Sequence, residues 1–298
     1  MTTKPNFFII GAAKSGTSSL ADYLNQHPDI FISPLKEPFY FVNDSGYNDY
    51  NKYISLFNKS NNEKAVGEAS TGYLFDKFSA KLIYKFNKEA KIIAILRNPS
   101  TMAFSYWQYM KLIGNESKSF MDAISPQERV YRHSDKFKNE CVNWWASYLY
   151  VERALYYEQI RRYYEIFNPE QIKIFIYEEF FKEKELSCRD CYQFLNVEDN
   201  FKPVFTRKNM GGSIRFKCIR SILNTENAII RNITKKIIPI KARNIIKDKL
   251  ISFNTNENDK KIMNNEEKKI LNDLFQKDIY NLEKLLNRKI DTWHFKYK

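Results

Sequence analysis

The stretch Phe7-Phe8-Ile9-Ile10-Gly11-Ala12-Ala13-Lys14-Ser15-Gly16-Thr17-Ser18-Ser19-Leu20 decides the fold. Phe7 to Ile10 is a short, uninterrupted apolar run, the pattern of a strand buried on both faces of a parallel sheet. Gly11 to Gly16 reads as a tight loop. A helix is expected from about Thr17, with Leu20, Tyr23 and Leu24 on its inner face and His27-Pro28 as its stop, because proline excludes the residue before it from helical geometry. Strand, glycine loop and helix N-terminus together make an anion cradle: loop N–H groups and the unpaired amides of the first helical turn converge on one point.

The pattern approaches the nucleotide-triphosphatase loop GxxxxGK[ST] and departs from it at the decisive position. Lys14 lies inside the loop, and Thr17 stands where that loop has its lysine. A triphosphatase also needs an acid near the end of a second strand to hold Mg²⁺. Here the clearest second strand, Lys91 to Leu96, runs into Arg97-Asn98-Pro99, which repels a metal and attracts a phosphate. The reading is a phosphate cradle rebuilt for metal-free chemistry, with no metal site.

Outward from this core, Phe31-Ile32, Ala65 to Glu68 and Ile172 to Tyr177 read as further strands, and helices are expected over 100–112 and 145–167. Strands alternating with helices indicate an α/β fold with a central, mostly parallel sheet flanked by helices. Beyond Phe201 the chain becomes rich in isoleucine and lysine. Residues 214–251 have helical period, and Ile270, Leu271, Leu274, Phe275, Leu282 and Leu285 mark a last amphipathic helix. The organisation expected is one domain, an α/β core over 1–212 with a basic helical extension and lid over 213–298.

Of 298 residues, 43% are hydrophobic and 16% aromatic, which excludes a disordered chain. Four cysteines are too few for a disulfide scaffold. No run approaches a membrane span and no leader pattern follows the first apolar segment, so a cytoplasmic protein is expected. The net charge of +13 lies wholly in residues 200–298, with 23 basic against 10 acidic side chains; residues 1–199 carry 25 of each. That asymmetry suits an anionic partner such as a multiply phosphorylated nucleotide, although a solvated lysine-rich face has the same signature.

With these features in hand, the chain resembles the sulfotransferases that use 3′-phosphoadenosine-5′-phosphosulfate (PAPS), most of all their bacterial and heparan-sulfate-type branch. FFIIGAAKSGTSSLADYLNQHP is similar to the family's 5′-phosphosulfate loop, Pro34 to Phe41 to its Lys-Glu-Pro-aromatic segment, and IAILRNPSTMAFSYWQY to its 3′-phosphate motif. Residues 154–180, Asn209-Met210-Gly211-Gly212 and Leu285 to Trp293 resemble the later helix–strand unit, the nucleotide-closing loop and the usual ending. The resemblance implies that Lys14 contacts the oxygen bridging sulfur and the 5′-phosphate, and that Ser15, Gly16, Thr17 and Ser18 bind that phosphate. It implies Arg97 and Ser105 for the 3′-phosphate, and Lys208 and Arg215, flanking Gly211 and Gly212, closing over the nucleotide. It implies Glu37 as the base that takes the acceptor's proton, with His133 as second choice. The partners implied are PAPS and a small-molecule hydroxyl or amine acceptor, with no nucleic acid and no membrane; oligomeric state is not implied.

Some features depart from the family or admit another reading. Ala69 replaces the lysine of the heparan-type Glu-Lys-Thr-Pro, which leans away from polysaccharide and toward a small acceptor, a guanidinium toxin of the saxitoxin kind being one branch. The Glu37 and Glu68 region, with the aromatics Trp107, Tyr109, Trp144, Trp145, Tyr148 and Tyr150, is a candidate acceptor surface, though such aromatics equally build a core. Cys188 and Cys191 lie in a helical stretch and read as buried thiols rather than a redox pair. Three competitors remain at this point: a carbohydrate O-sulfotransferase, a kinase-like ATP enzyme, and an anionic-polymer-binding protein using residues 200–298.

Overall fold

Five short strands form one all-parallel sheet in the order β2-β3-β1-β4-β5. They are β1 (Phe7–Gly11), β2 (Ile30–Ile32), β3 (Ala65–Ala69), β4 (Lys91–Leu96) and β5 (Ile172–Ile176). The computed structural model describes residues 4–44, 49–205, 213–214, 255–256 and 262–294. β1 is central, with Phe7 opposite Gly67 on one side and Lys91 on the other. All five of its residues are buried, as an apolar run covered by helices on both faces must be.

Backbone packing groups the chain into two compact units. The first comprises Met1–Ala103, Val151–Thr206 and Lys269–Lys298 and holds the sheet. Its helices are α1 (Thr17–Leu24), α2 (Tyr50–Ser55), α3 (Gly72–Phe75), α4 (Ser79–Phe86) and the first turn of α5 (Pro99–Leu112). One side of the sheet packs Leu20, Tyr23 and Leu24 of α1 against Ile9, Ile93 and Ile95.

The second unit comprises Phe104–Tyr150 and Arg207–Lys268. It contains the rest of α5 with α6 (Phe120–Ala123), α7 (Pro126–His133) and α8 (Asp135–Glu140). Ser119, Ser125 and Ser134 cap these three short helices with side-chain oxygens. At its centre the buried Arg132 guanidinium donates to Glu116 Oε2 at 2.8 Å, Glu128 Oε1 at 2.9 Å and the Tyr148 carbonyl at 2.7 Å. A buried charge is tolerable only when paired and hydrogen-bonded in this way.

The helix expected over 145–167 is broken. Two 3-10 turns, Trp145–Tyr148 and Glu152–Ala154, precede α9 (Tyr156–Tyr164). Asp278 accepts the Tyr156 and Tyr157 N–H groups at 2.7 and 3.2 Å, so a carboxylate from another element starts α9 afresh. The aromatic and branched run before it has little helical preference of its own. After β5 come α10 (Tyr177–Lys182) and α11 (Lys184–Leu195), and the last helix, α12 (Asn265–Leu286), buries Leu271, Phe275, Ile279 and Leu282. Cys188 and Cys191 are fully buried in α11, and burial pushes the Cys188 thiol up to about 12. Of the basic helical extension and lid expected over 213–298, residues 215–254 lie outside the described residues.

Candidate active site

The loop after β1 holds its shape by two left-handed residues, Lys14 with φ 58° and Gly16 with φ 86°. At position 16 only glycine fits, since a Cβ would lie 2.4 Å from the Phe181 ring of α10. The Ala12 N–H donates to the Ile95 carbonyl at 2.8 Å and fastens the loop to β4. Helix α1 starts directly after Gly16, so its first-turn amides have no intrahelical acceptor and face the loop's concave side. Ser15 is fully buried and its hydroxyl donates to the Ala13 carbonyl at 3.3 Å; it shapes the loop from within. Ser18 stands half-exposed on the first turn.

Arg97, at the end of β4, reaches this loop. Its Nη1 donates to the Lys14 carbonyl at 3.2 Å and its Nε to Thr101 Oγ1 at 3.1 Å. The guanidinium lies over the Tyr177 ring, 4.9 Å from its centroid, and the Tyr156 hydroxyl donates to the Arg97 carbonyl at 3.0 Å. Arg97 is thereby tied to the Lys14 loop, and the two charges act on each other. A third cation joins them: Lys36 Nζ hydrogen-bonds Ser18 Oγ. Burial pushes the Lys14 ammonium down to about 8, the charges of Lys36 and Arg97 push the same way, and Glu37 opposes them.

Glu37 is held from β3. Its N–H donates to the Ala69 carbonyl at 3.1 Å, and Thr71 Oγ1 donates to its Oε1 at 2.8 Å. Glu37 and Phe39 are both left-handed, with φ 54° and 52°, which turns the loop back on itself around Pro38. Below it, Glu68 is closed to solvent. Its carboxylate accepts from the hydroxyls of Tyr53 at 3.1 Å, Tyr73 at 2.5 Å and Ser70 at 2.6 Å. Burial raises its pKa to about 7 in spite of those three donors. Glu68 thus cannot meet an acceptor, which corrects the expectation that it shares that role with Glu37.

Of the residues singled out from the sequence, Lys14, Gly16, Thr17, Ser18, Glu37 and Arg97 come together in the first unit. Ser105 lies on α5 one turn beyond Thr101, in the second unit. His133 ends α7 in the second unit, exposed, its ring 5.7 Å from that of Trp145. Lys208, Gly211, Gly212 and Arg215 lie outside the described residues. His27 and His294 are structural: His27 Nδ1 accepts the Asp29 N–H at 3.0 Å and its Nε2 lies 2.8 Å from the Glu198 carbonyl, while His294 Nε2 lies 2.7 Å from Glu283 Oε1.

Sequence reasoning missed Lys36, Thr71, Tyr156 and Tyr177. Lys36 and Thr71 sit inside segments already quoted, and their nearness to Glu37 was the available signal. Tyr156 and Tyr177 reach Arg97 from 59 and 80 residues further along the chain, and nothing in their own segment marks that contact.

The sulfotransferase domain family matches residues 4–209 of this chain. A sulfotransferase from Alicyclobacillus acidocaldarius has a similar structure, with TM-score 0.72 and 29% identity over 98% of this chain and 99% of that one. Human heparan sulfate glucosamine 3-O-sulfotransferase 5 is 30% identical over 57% of this chain and 47% of its own length. The membrane-associated sulfotransferase kil1 of Dictyostelium discoideum is 35% identical over 35% of this chain and 23% of its own length. The chain spans less than half the length of the curated relatives it matches. No described helix is long and apolar enough to cross a membrane. With a lysine-bearing loop after β1, an arginine after β4 and this matched domain, the chain belongs to the PAPS-dependent sulfotransferase family.

Proposed function

We propose that this protein moves a sulfuryl group from PAPS to a hydroxyl or amine of a small acceptor and releases 3′,5′-ADP. The observation that carries the reading is the crowding of Lys14, Lys36 and Arg97 around one helix N-terminus, where burial first and the two neighbouring cations second depress the Lys14 ammonium to about 8. Positive charge stored at such a cost is relieved by a dense anion, and the mixed anhydride of phosphate and sulfate is one.

Lys14 stabilises the oxygen that bridges sulfur and phosphorus as the S–O bond breaks and its electron pair moves onto that oxygen. The α1 amides, Thr17 and Ser18 hold the 5′-phosphate. Arg97, stacked on Tyr177, offers its planar fork to the 3′-phosphate, with Ser105 as the second donor suggested by the sequence. Lys208, Gly211, Gly212 and Arg215 complete the nucleotide site in this reading. Glu37 accepts the acceptor's proton as the new O–S or N–S bond forms, and the Thr71 hydroxyl keeps one carboxylate oxygen occupied so that the other faces the proton. His133 is the alternative base.

A carbohydrate acceptor is the second reading, supported by similarity to heparan sulfate glucosamine 3-O-sulfotransferase 5 and carbohydrate sulfotransferase 15. Ala69 in place of a lysine supports the smaller acceptor, and the guanidinium-toxin branch rests on sequence resemblance alone. The test is release of 3′,5′-ADP from PAPS across a panel of sugars, phenols, amines and guanidinium alkaloids. Release that requires an acceptor supports the reading. Absence of release with every acceptor, from folded protein that binds 3′,5′-ADP, counts against it.

A further inference from the structure

Glu68 lies in the first unit, fully buried under three hydrogen bonds, near the end of β3, to which the Glu37 loop is hydrogen-bonded. A buried carboxylate costs several kcal/mol unless its lone pairs are filled. For the core alone an apolar side chain would serve at least as well. What the carboxylate supplies is a direction. Ionised, it can only accept, so the single proton of the Ser70 hydroxyl points at Glu68 Oε2. The Ser70 oxygen then presents its lone pairs the other way, and there the Phe39 N–H donates to it at 3.3 Å.

Phe39 and Glu37 are the two left-handed residues of the loop. For non-glycine residues that conformation persists only when the surroundings over-determine it. Three bonds from β3 do so: Ala69 carbonyl to Glu37 N–H, Ser70 hydroxyl to Phe39 N–H, and Thr71 hydroxyl to the Glu37 carboxylate. The first and third rest on the backbone and on Thr71 itself. The middle one depends on which way Ser70 is turned, and Glu68 turns it.

We propose that Glu68 is a positioning residue for sulfuryl transfer, which through the orientation of the Ser70 hydroxyl locks the left-handed turn that aims the Glu37 carboxylate. This rests on the reading of Glu37 as the base. The path is Tyr53 and Tyr73 on Glu68, Glu68 on Ser70, and Ser70 on the Phe39 amide. A glutamine at position 68 keeps the volume and presents an N–H₂ toward one of three donors, so Ser70 loses its acceptor. An alanine at position 70 removes the link without touching the buried carboxylate.

The test compares Glu68→Gln, Ser70→Ala and Ser70→Thr with the parent protein in two measurements. In steady-state turnover, Ser70→Ala and Glu68→Gln are expected to lower kcat about tenfold or more, the scale of a lost supporting hydrogen bond, with KM for PAPS and 3′,5′-ADP affinity within about twofold. Ser70→Thr, which keeps the hydroxyl, restores kcat. In hydrogen exchange, the amides of the 36–41 segment exchange about tenfold faster in Ser70→Ala while those of β1 and β4 are unchanged. Parent-like kcat in folded Ser70→Ala, or unchanged exchange of that segment, overturns the proposal. Should Glu68→Gln fail to fold, Ser70→Ala decides alone. If the parent protein transfers no sulfuryl group, the reading of the activity fails, and the exchange experiment still decides whether this network holds the turn.

Discussion

Lys14 is held beside two other cations, Lys36 and Arg97. Its pKa of about 8 is lower than the ordinary 10.5 because burial and two neighbouring cations disfavour the charged form. An anion beside it does the reverse, so above pH 8 binding of 3′,5′-ADP must take up a proton. Affinity is therefore expected to fall as pH rises through about 8, measured by calorimetry at several pH values; Lys14→Arg, charged throughout, should remove the slope. An affinity flat from pH 7 to 10 in the parent protein would show that Lys14 does not face the anion. For Glu37, the expected outcome of Glu37→Gln is a loss of about a hundredfold or more in kcat with 3′,5′-ADP affinity kept. Substantial residual turnover would move the base to His133.

At the scale of elements, the sheet and the cradle were legible and the surroundings were not. β1 and β4 announce themselves as apolar runs, and the loop after β1 carries its glycines at positions where φ and space demand them. The short helices α2, α3 and α6 to α8 escape, because four to eight residues are too few to show a period. The helix expected through 145–167 fails for another reason: its true start is set by Asp278, a residue whose role only the tertiary fold reveals. Replacing Asp278 by alanine is expected to cost about 1 kcal/mol or more, the scale of a lost helix cap, read by chemical denaturation. Burial raises the Asp278 carboxyl from 3.8 to about 6. A raised carboxyl contributes stability that is complete below pH 3.8 and lost as pH rises through 6. Glu68, raised from 4.5 to about 7, acts in the same sense up to neutral pH. The parent protein should thus lose stability between about pH 4.5 and 7 relative to Glu68→Gln; parallel curves would show that folding does not raise the Glu68 carboxyl.

Across the whole molecule, function gathers where the parallel sheet presents the carboxyl ends of β1, β3 and β4. Lys14 follows β1, Glu37 is pinned to the end of β3, and Arg97 ends β4. That convergence is the general habit of open parallel sheets, and here it brings together residues from three separate sequence segments. The sequence motifs named Lys14 by its loop, Arg97 by the strand it follows, and Glu37 by the resemblance of its Lys-Glu-Pro segment to the family's. They misjudged Glu68, whose burial depends on Tyr53 and Tyr73 closing over it. They did not reach Tyr156 and Tyr177, which fix Arg97 from distant parts of the chain.

The most direct measurement is calorimetric comparison of 3′,5′-ADP with 5′-ADP, in the parent protein and in Arg97→Met. If Lys14 and Arg97 read two phosphates at separate ribose positions, 3′,5′-ADP binds the parent at least about tenfold more tightly, and Arg97→Met erases most of that difference. Equal affinity for the two nucleotides, or a preference untouched by Arg97→Met, would contradict it.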